Sequence, residues 1–183
     1  MHTYVILLRA VNLGSTGKLS MASFREMLKD LGYSNVETYI QSGNAVLDAP
    51  GSASSVAKAI AATLETWMGA PVPVVIRTHA ELDRIIAANP FAAEAADDGA
   101  RVHAVFLSGV PAAQKGAALE QIVLKNPTRR DRYHLAGDTL YLHLPDGAAD
   151  SKFTTQALDR LLGVTATARN WNTVLKLHAM STR

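Results

Sequence analysis

Short apolar runs alternate along this chain with stretches whose apolar residues recur at helical spacing, and turn residues separate the two. Tyr4 to Leu8 is nearly continuous in its apolar character, the mark of a strand buried on both faces. A loop from Asn12 to Lys18 follows. Ser20 then offers an N-cap to a helix carrying Met21, Phe24, Met27, Leu28 and Leu31, which Gly32 ends. Val36 to Gln41 and Ala45 to Leu47 are expected to form a hairpin turned at Ser42, Gly43 and Asn44. Ser52 begins a helix through Val56, Ile60, Leu64 and Trp67, closed by Gly69. Val72 to Ile76 is a strand, and Thr78 caps a helix stopped by Asn89 and Pro90.

The same order then recurs. Val102 to Leu107 is a strand, and Pro111 opens a helix bearing Leu119, Ile122 and Val123. Tyr133 to Leu135 and Thr139 to Leu144 form a hairpin around Gly137 and Asp138. Asp150 or Ser151 caps a helix with Phe153, Leu158, Leu161 and Leu162. Val164 to Ala168 is a short strand, and Asn170 caps a last helix reaching Met180. The expected fold is therefore α+β, with two ferredoxin-like βαββαβ halves, each followed by an extra helix. Residues 1–89 make the first half, 90–100 an Ala- and Asp-rich linker, and 101–183 the second. Local matches suggest a duplication: Tyr39, Gly43 and Asn44 answer to Tyr133, Gly137 and Asp138, and Arg77 answers to Arg169.

Composition narrows the chemistry. The chain has no cysteine, which removes disulfides, thiolate metal sites and a thiol nucleophile. No run approaches the ~20 apolar residues of a membrane span, and Met1 to Arg9 is too short and polar for a signal peptide. The expected location is cytoplasmic. A net charge of +2 within ordinary globular composition gives only a slight bias toward anionic partners.

Four segments carry candidate chemistry. Arg9 to Lys18 is a glycine-bearing strand-to-helix loop of the kind that cradles phosphate on backbone N–H groups, although its spacing matches neither the P-loop nor the dinucleotide fingerprint. In the first hairpin Ser-Gly-Asn is ordinary turn chemistry, but Gln41 is not demanded by a turn. The third segment joins Ser151-Lys152 with Arg169-Asn170-Trp171-Asn172-Thr173-Val174-Leu175-Lys176. Asn172 and Lys176 share a helix face, and Arg169 ends a strand beside that helix terminus, a suitable arrangement for a carboxylate or phosphate. In the second hairpin Arg132, His134, Tyr141 and His143 fall on one sheet face that would suit stacked bases. The histidines fall into no metal-binding motif, since His134 and His143 lack a third ligand, and neither a catalytic triad nor a nucleophile elbow is present.

Several of these segments together resemble a known family. The chain has Leu-Leu-Arg ending its first strand, an Asn-x-Gly loop, and Tyr-Ile-Gln-Ser-Gly-Asn at 39–44. It continues with Asn-Pro-Phe at 89–91, Ser-Lys-Phe at 151–153 and Arg-Asn-Trp-Asn-Thr-Val-x-Lys-Leu at 169–177. This pattern is similar to that of the bacterial domain-of-unknown-function 1697 family, over nearly the whole chain. The resemblance implies an α+β fold with two related halves and no assigned activity. Where the family pattern has glycine in its first motif, this chain has Ala10 and Ser15.

The leading functional expectation is a binding protein or enzyme for a small anionic ligand bearing phosphate or carboxylate, with a pocket where the halves meet. Its site would be drawn from Arg9, Asn12, Gln41, Asn44, Lys152, Arg169, Asn172 and Lys176. No cofactor or metal is expected, and no catalytic residue is assigned. The alternatives are a nucleic-acid-binding module using the Arg132 face and a protein-interaction module, monomeric or homodimeric, in which the motifs are structural.

Overall fold

A computed structural model of the chain describes residues 1–9 and 19–182. The elements run β1 (His2–Leu8), α1 (Met21–Asp30), β2 (Ser34–Tyr39), β3 (Asn44–Ala49), α2 (Ala53–Met68), β4 (Val74–Thr78) and α3 (His79–Ala87). They continue with α4 (Ala92–Asp97), β5 (Val102–Leu107), α5 (Ala113–Gly116), a 3-10 turn over Ala117–Leu119, and α6 (Glu120–Leu124). Then come β6 (Arg132–Ala136), β7 (Thr139–His143), α7 (Thr155–Leu162), β8 (Ala166–Asn170) and α8 (Trp171–Met180). The fold is α+β, with two ferredoxin-like halves. Each has a four-stranded antiparallel sheet, ordered β2-β3-β1-β4 in the first and β6-β7-β5-β8 in the second.

Local chemistry sets the helix boundaries. Ser20, Ser52 and Thr154 each accept a backbone N–H from three residues on, at α1, α2 and α7. Thr78 Oγ1 accepts from Glu81 N at 3.2 Å while Glu81 Oε2 accepts from Thr78 N at 2.6 Å, a reciprocal capping box at α3. Asn170 Oδ1 accepts from Thr173 N at 3.0 Å and starts α8. Gly69 and Gly163 close α2 and α7 in the left-handed region, which L residues enter at a cost.

Both cores form between a sheet face and the helices that cover it. In the first half Tyr4, Ile6, Leu8, Ala45 and Leu47 meet Phe24 and Leu28 of α1 and Ile60 and Leu64 of α2. Val5 and Leu7, on the other face of β1, are buried as well, as the continuous apolar run predicts. In the second half Val105, Leu107, Leu140 and Leu142 meet Leu119, Ile122, Leu158 and Leu162.

Strand register supports the internal repeat and corrects its alignment. Leu8 N donates to Gly43 O at 2.8 Å, and Leu107 N donates to Asp138 O at 2.9 Å. Asn44 pairs with Leu7, and Thr139 pairs with Phe106. Asn44 therefore corresponds to Thr139, one position beyond the match read from sequence, because the first turn is longer. That turn runs from Ile40 to Gly43, both at positive φ (45° and 81°), so Gln41 lies in the turn and Asn44 already belongs to β3. The second hairpin turns on Gly137 and Asp138 as expected.

Other boundaries differ from the sequence reading too, with β4 and β8 each beginning and ending two residues later than expected. The helix expected to start at Asp150 or Ser151 begins at Thr154, since the Ser151 hydroxyl donates to Asp131 at 2.8 Å instead. Within 90–100, the alanine-rich stretch Ala92–Asp97 is helical, in keeping with alanine's propensity. The chain forms two compact units, Met1–Arg84 with Lys176–Arg183 and Ile85–Leu175.

Candidate functional site

The second unit contains a groove of about 420 Å³ bordered by α6, the segment before α7, and α7 itself. Gln121, Lys125 and Asn126 contribute from α6 and its end, Lys152 and Thr154 from the α7 approach, and Arg160 from α7. Ile122, Ala157 and Leu161 supply apolar surface between them. Three cationic side chains thus line one concave surface, and among the described residues its lining includes no aspartate or glutamate.

The chain holds Lys152 there by burying its neighbours. Ser151 and Phe153 are both buried, so the side chain between them is left to face outward. Ser151 Oγ donates to Asp131 Oδ2 at 2.8 Å and accepts from Phe153 N at 3.2 Å. Asp131 is gripped by Arg129 through Nε at 2.9 Å and Nη2 at 3.1 Å, a bidentate pair, and Arg129 also donates to Gly147 O at 2.6 Å. Asp131 borders a small void shared with Lys152, but its carboxylate is already committed to Arg129 and Ser151. Asn126 donates through Nδ2 to Ile122 O at 2.8 Å, and Thr154 Oγ1 accepts from Ala157 N at 3.2 Å. The groove therefore offers cations and polar groups on two helices and a pinned loop.

The remaining residues singled out from sequence are distributed as follows. Arg9 follows β1, with its N–H donating to Pro73 O at 3.0 Å beside the Gly43 turn, and this brings it to the same sheet end as Gln41 and Asn44. Gln41 is exposed, whereas Asn44 is fully buried and braces the turn through Nδ2 to Tyr39 O at 3.0 Å and Ser42 Oγ at 2.9 Å. Asn12 and the rest of the glycine-bearing loop lie outside the described residues. Arg169 is buried at the end of β8 and donates through Nη1 to Ala168 O at 2.8 Å; burial lowers its guanidinium pKa to about 10. Asn172 is exposed on α8 against Gly99, where an added Cβ would collide with its side chain. Lys176 is exposed on α8, four residues on. Of those among the described residues, only Lys152 lines the groove.

Lys125 and Arg160 were not picked out from sequence. Each reads there as an ordinary helix-surface cation, and only the packing of α6 and α7 over the same sheet face makes them neighbours of Lys152. The usable signal was topological, because a βαββαβ sheet carries both of its helices on one face.

The Arg132, His134, Tyr141 and His143 face forms with the expected register, Arg132 opposite His143 and His134 opposite Tyr141. It is largely occupied within its own unit. Arg132 pairs with Glu94, reaches His143 Nδ1 at 2.7 Å, and sits 5.0 Å from the centre of the Phe91 ring. Arg132 also holds the Glu94 carboxyl below its usual pKa. Tyr141 is buried, its hydroxyl donating to Ile85 O at 2.9 Å, and burial pushes its pKa up to about 12.

Comparison with known proteins adds the family. The family model described as a protein of unknown function, DUF1697, matches residues 1–141. The chain belongs to that family. Among solved structures it is similar to the conserved bacterial protein SP0830 from Streptococcus pneumoniae, at 19% identity and a TM-score of 0.72, covering 100% of this chain and 99% of that one. At that identity the likeness is one of fold. No curated protein matches the chain. The DUF1697 match stops before α7, whereas the similarity of fold covers the full chain. Among the described residues no helix is long and apolar enough to cross a membrane.

Proposed function

We propose that this DUF1697 protein binds a small anion bearing phosphate or carboxylate, and that the groove of the second unit is its site. The observation that carries this reading is the convergence of Lys125, Lys152 and Arg160 on a groove of about 420 Å³ whose lining, among the described residues, contains no carboxylate. Like charges gathered without counter-ions repel, and an anionic ligand relieves that repulsion. The volume suits a small metabolite, and the guanidinium of Arg160 is adapted to bidentate recognition of either oxyanion. The apolar patch of Ile122, Ala157 and Leu161 would take the ligand's carbon skeleton.

The groove favours this reading over base stacking on the second hairpin, where Tyr141 is buried and Arg132 is engaged by Glu94. The test is a thermal-shift and calorimetric screen of the full chain with inorganic phosphate, phosphorylated metabolites, nucleotides and small carboxylic acids, with Lys152→Ala and Arg160→Ala alongside. A ligand at 100 times its Kd adds about 2.7 kcal/mol of stability. A hit abolished in both variants is the expected outcome. No hit, or a hit that survives both substitutions, overturns the proposal.

A further inference from the structure

His79, Asp83 and His178 gather in the first unit, and the sequence gives no hint that they meet. His79 and Asp83 lie one turn apart on α3, and α8 brings in His178. The three ligand-capable atoms, one from each residue, all lie within 4.8 Å of one another. His178 Nε2 is 2.6 Å from Asp83 Oδ1, and His79 Nε2 is 3.6 Å from Asp83 Oδ2. The imidazole rings stack with their centres 4.4 Å apart and their planes 16° from parallel.

A fourth residue decides which histidine nitrogen is available. Ser181 Oγ donates its one proton to His178 O at 2.8 Å. It must therefore accept from His79 Nδ1, 2.9 Å away. With the proton on Nδ1, Nε2 is the His79 nitrogen that faces the Asp83 carboxylate, 3.6 Å away. That arrangement calls for positive charge between them. Ser181 is buried and holds the ring as the outer-shell partner of a metal-ligating histidine does.

We propose that His79 Nε2, Asp83 and His178 Nε2 form a binding site for a first-row divalent cation of the zinc type. Two imidazoles and a carboxylate are suitable donors for such an ion and poor ones for magnesium or calcium. Zinc bonds these atoms at about 2.0–2.2 Å, which places neighbouring ligands about 3.4 Å apart in a tetrahedral shell. The His79–Asp83 separation of 3.6 Å already has that spacing. The His178–Asp83 contact opens by less than about 1 Å to admit the metal. The side chains are 33%, 56% and 28% exposed, so the remaining coordination position faces solvent and accepts water or an exogenous ligand.

The experiment uses the full chain, without an affinity tag and stripped of metal by chelator. Zinc is titrated calorimetrically, and cobalt is titrated while the visible ligand-field absorption is recorded. Asp83→Asn, His178→Gln and His79→Gln are measured in parallel with His134→Gln, an exposed histidine of the other unit, and circular dichroism establishes which variants are folded. The expected result is one saturable site in wild type and in His134→Gln, with zinc affinity reduced at least tenfold in each folded cluster variant. Absence of a one-to-one site in wild type overturns the proposal and leaves a His–Asp–His contact between two helices. So does any folded cluster variant that retains wild-type affinity, or a loss of binding in His134→Gln.

Discussion

Arg77 and Arg169 are the same residue of the internal repeat. Each stands near the end of the last strand of its half, and each donates through Nη1, at 2.8 Å, to the carbonyl of the residue before it. Both are buried, at 6% and 8% exposure. Their strand neighbours correspond too, since Leu8 opposite Val74 in one half matches Leu107 opposite Ala166 in the other. A guanidinium kept twice in a desolvated position points to a structural role shared by the halves.

Arg77→Ala and Arg169→Ala are therefore expected to destabilise the fold by about 1–3 kcal/mol each, since each removes a buried donor and leaves its carbonyl partner unsatisfied. Urea denaturation should show a lower midpoint at unchanged slope. Variants as stable as wild type would contradict this reading.

Lys152→Ala and Arg160→Ala should behave in the opposite way. Both side chains are exposed, so stability should stay within about 0.5 kcal/mol of wild type. Affinity for any anion found in the screen should fall about tenfold or more, equivalent to at least about 1.4 kcal/mol, and wild-type binding should weaken as salt is added.

Acid should weaken the fold through His103. Burial holds its pKa below the ordinary value of 6.5, only partly opposed by its hydrogen bond to the Arg101 backbone. Below about pH 6.5 the unfolded chain takes up this proton and the native state resists it, so stability falls as pH drops toward the folded pKa. Above that window both states are neutral at this site and the contribution vanishes. His143 is shifted in the same direction, by burial and then by Arg132. Denaturation midpoints measured between about pH 7.5 and pH 5 should slope less in His103→Gln than in wild type.

Tyr141→Phe removes the hydroxyl that donates to Ile85 O and should cost about 1 kcal/mol. Binding to short mixed RNA, followed by anisotropy at low salt, should be no different in this variant. A selective loss of RNA affinity would revive the stacking role that the alternation of the second hairpin suggests.

Asn44→Ala should lower stability by about 1–2 kcal/mol, because two hydrogen bonds bracing the Ile40–Gly43 turn disappear from a fully buried position. Gln41→Ala, exposed in the same turn, should be close to neutral in thermal unfolding.

What the sequence by itself determined was whatever depends on neighbours in the chain. Ser20, Ser52, Thr78 and Asn170 cap helices because a side-chain oxygen reaches an N–H two or three residues away. The unbroken apolar run of β1 and the alternation of β6 and β7 established burial and register, because side-chain direction follows the strand period. Those local rules were enough to reach two βαββαβ halves. They failed where a distant partner decided the outcome. Ser151 looked like a helix cap until the fold supplied Asp131, and the match between hairpins was off by one residue at Asn44 and three at Tyr39 because the first turn is longer than the second. The sites belong wholly to this second class. Lys152 was legible as a candidate, but Lys125 and Arg160 join it only once α6 and α7 border one groove, and His178 meets His79 and Asp83 only once α8 reaches α3. Charge and ligand geometry depend on distances through space, which no spacing along the chain encodes until the core has closed.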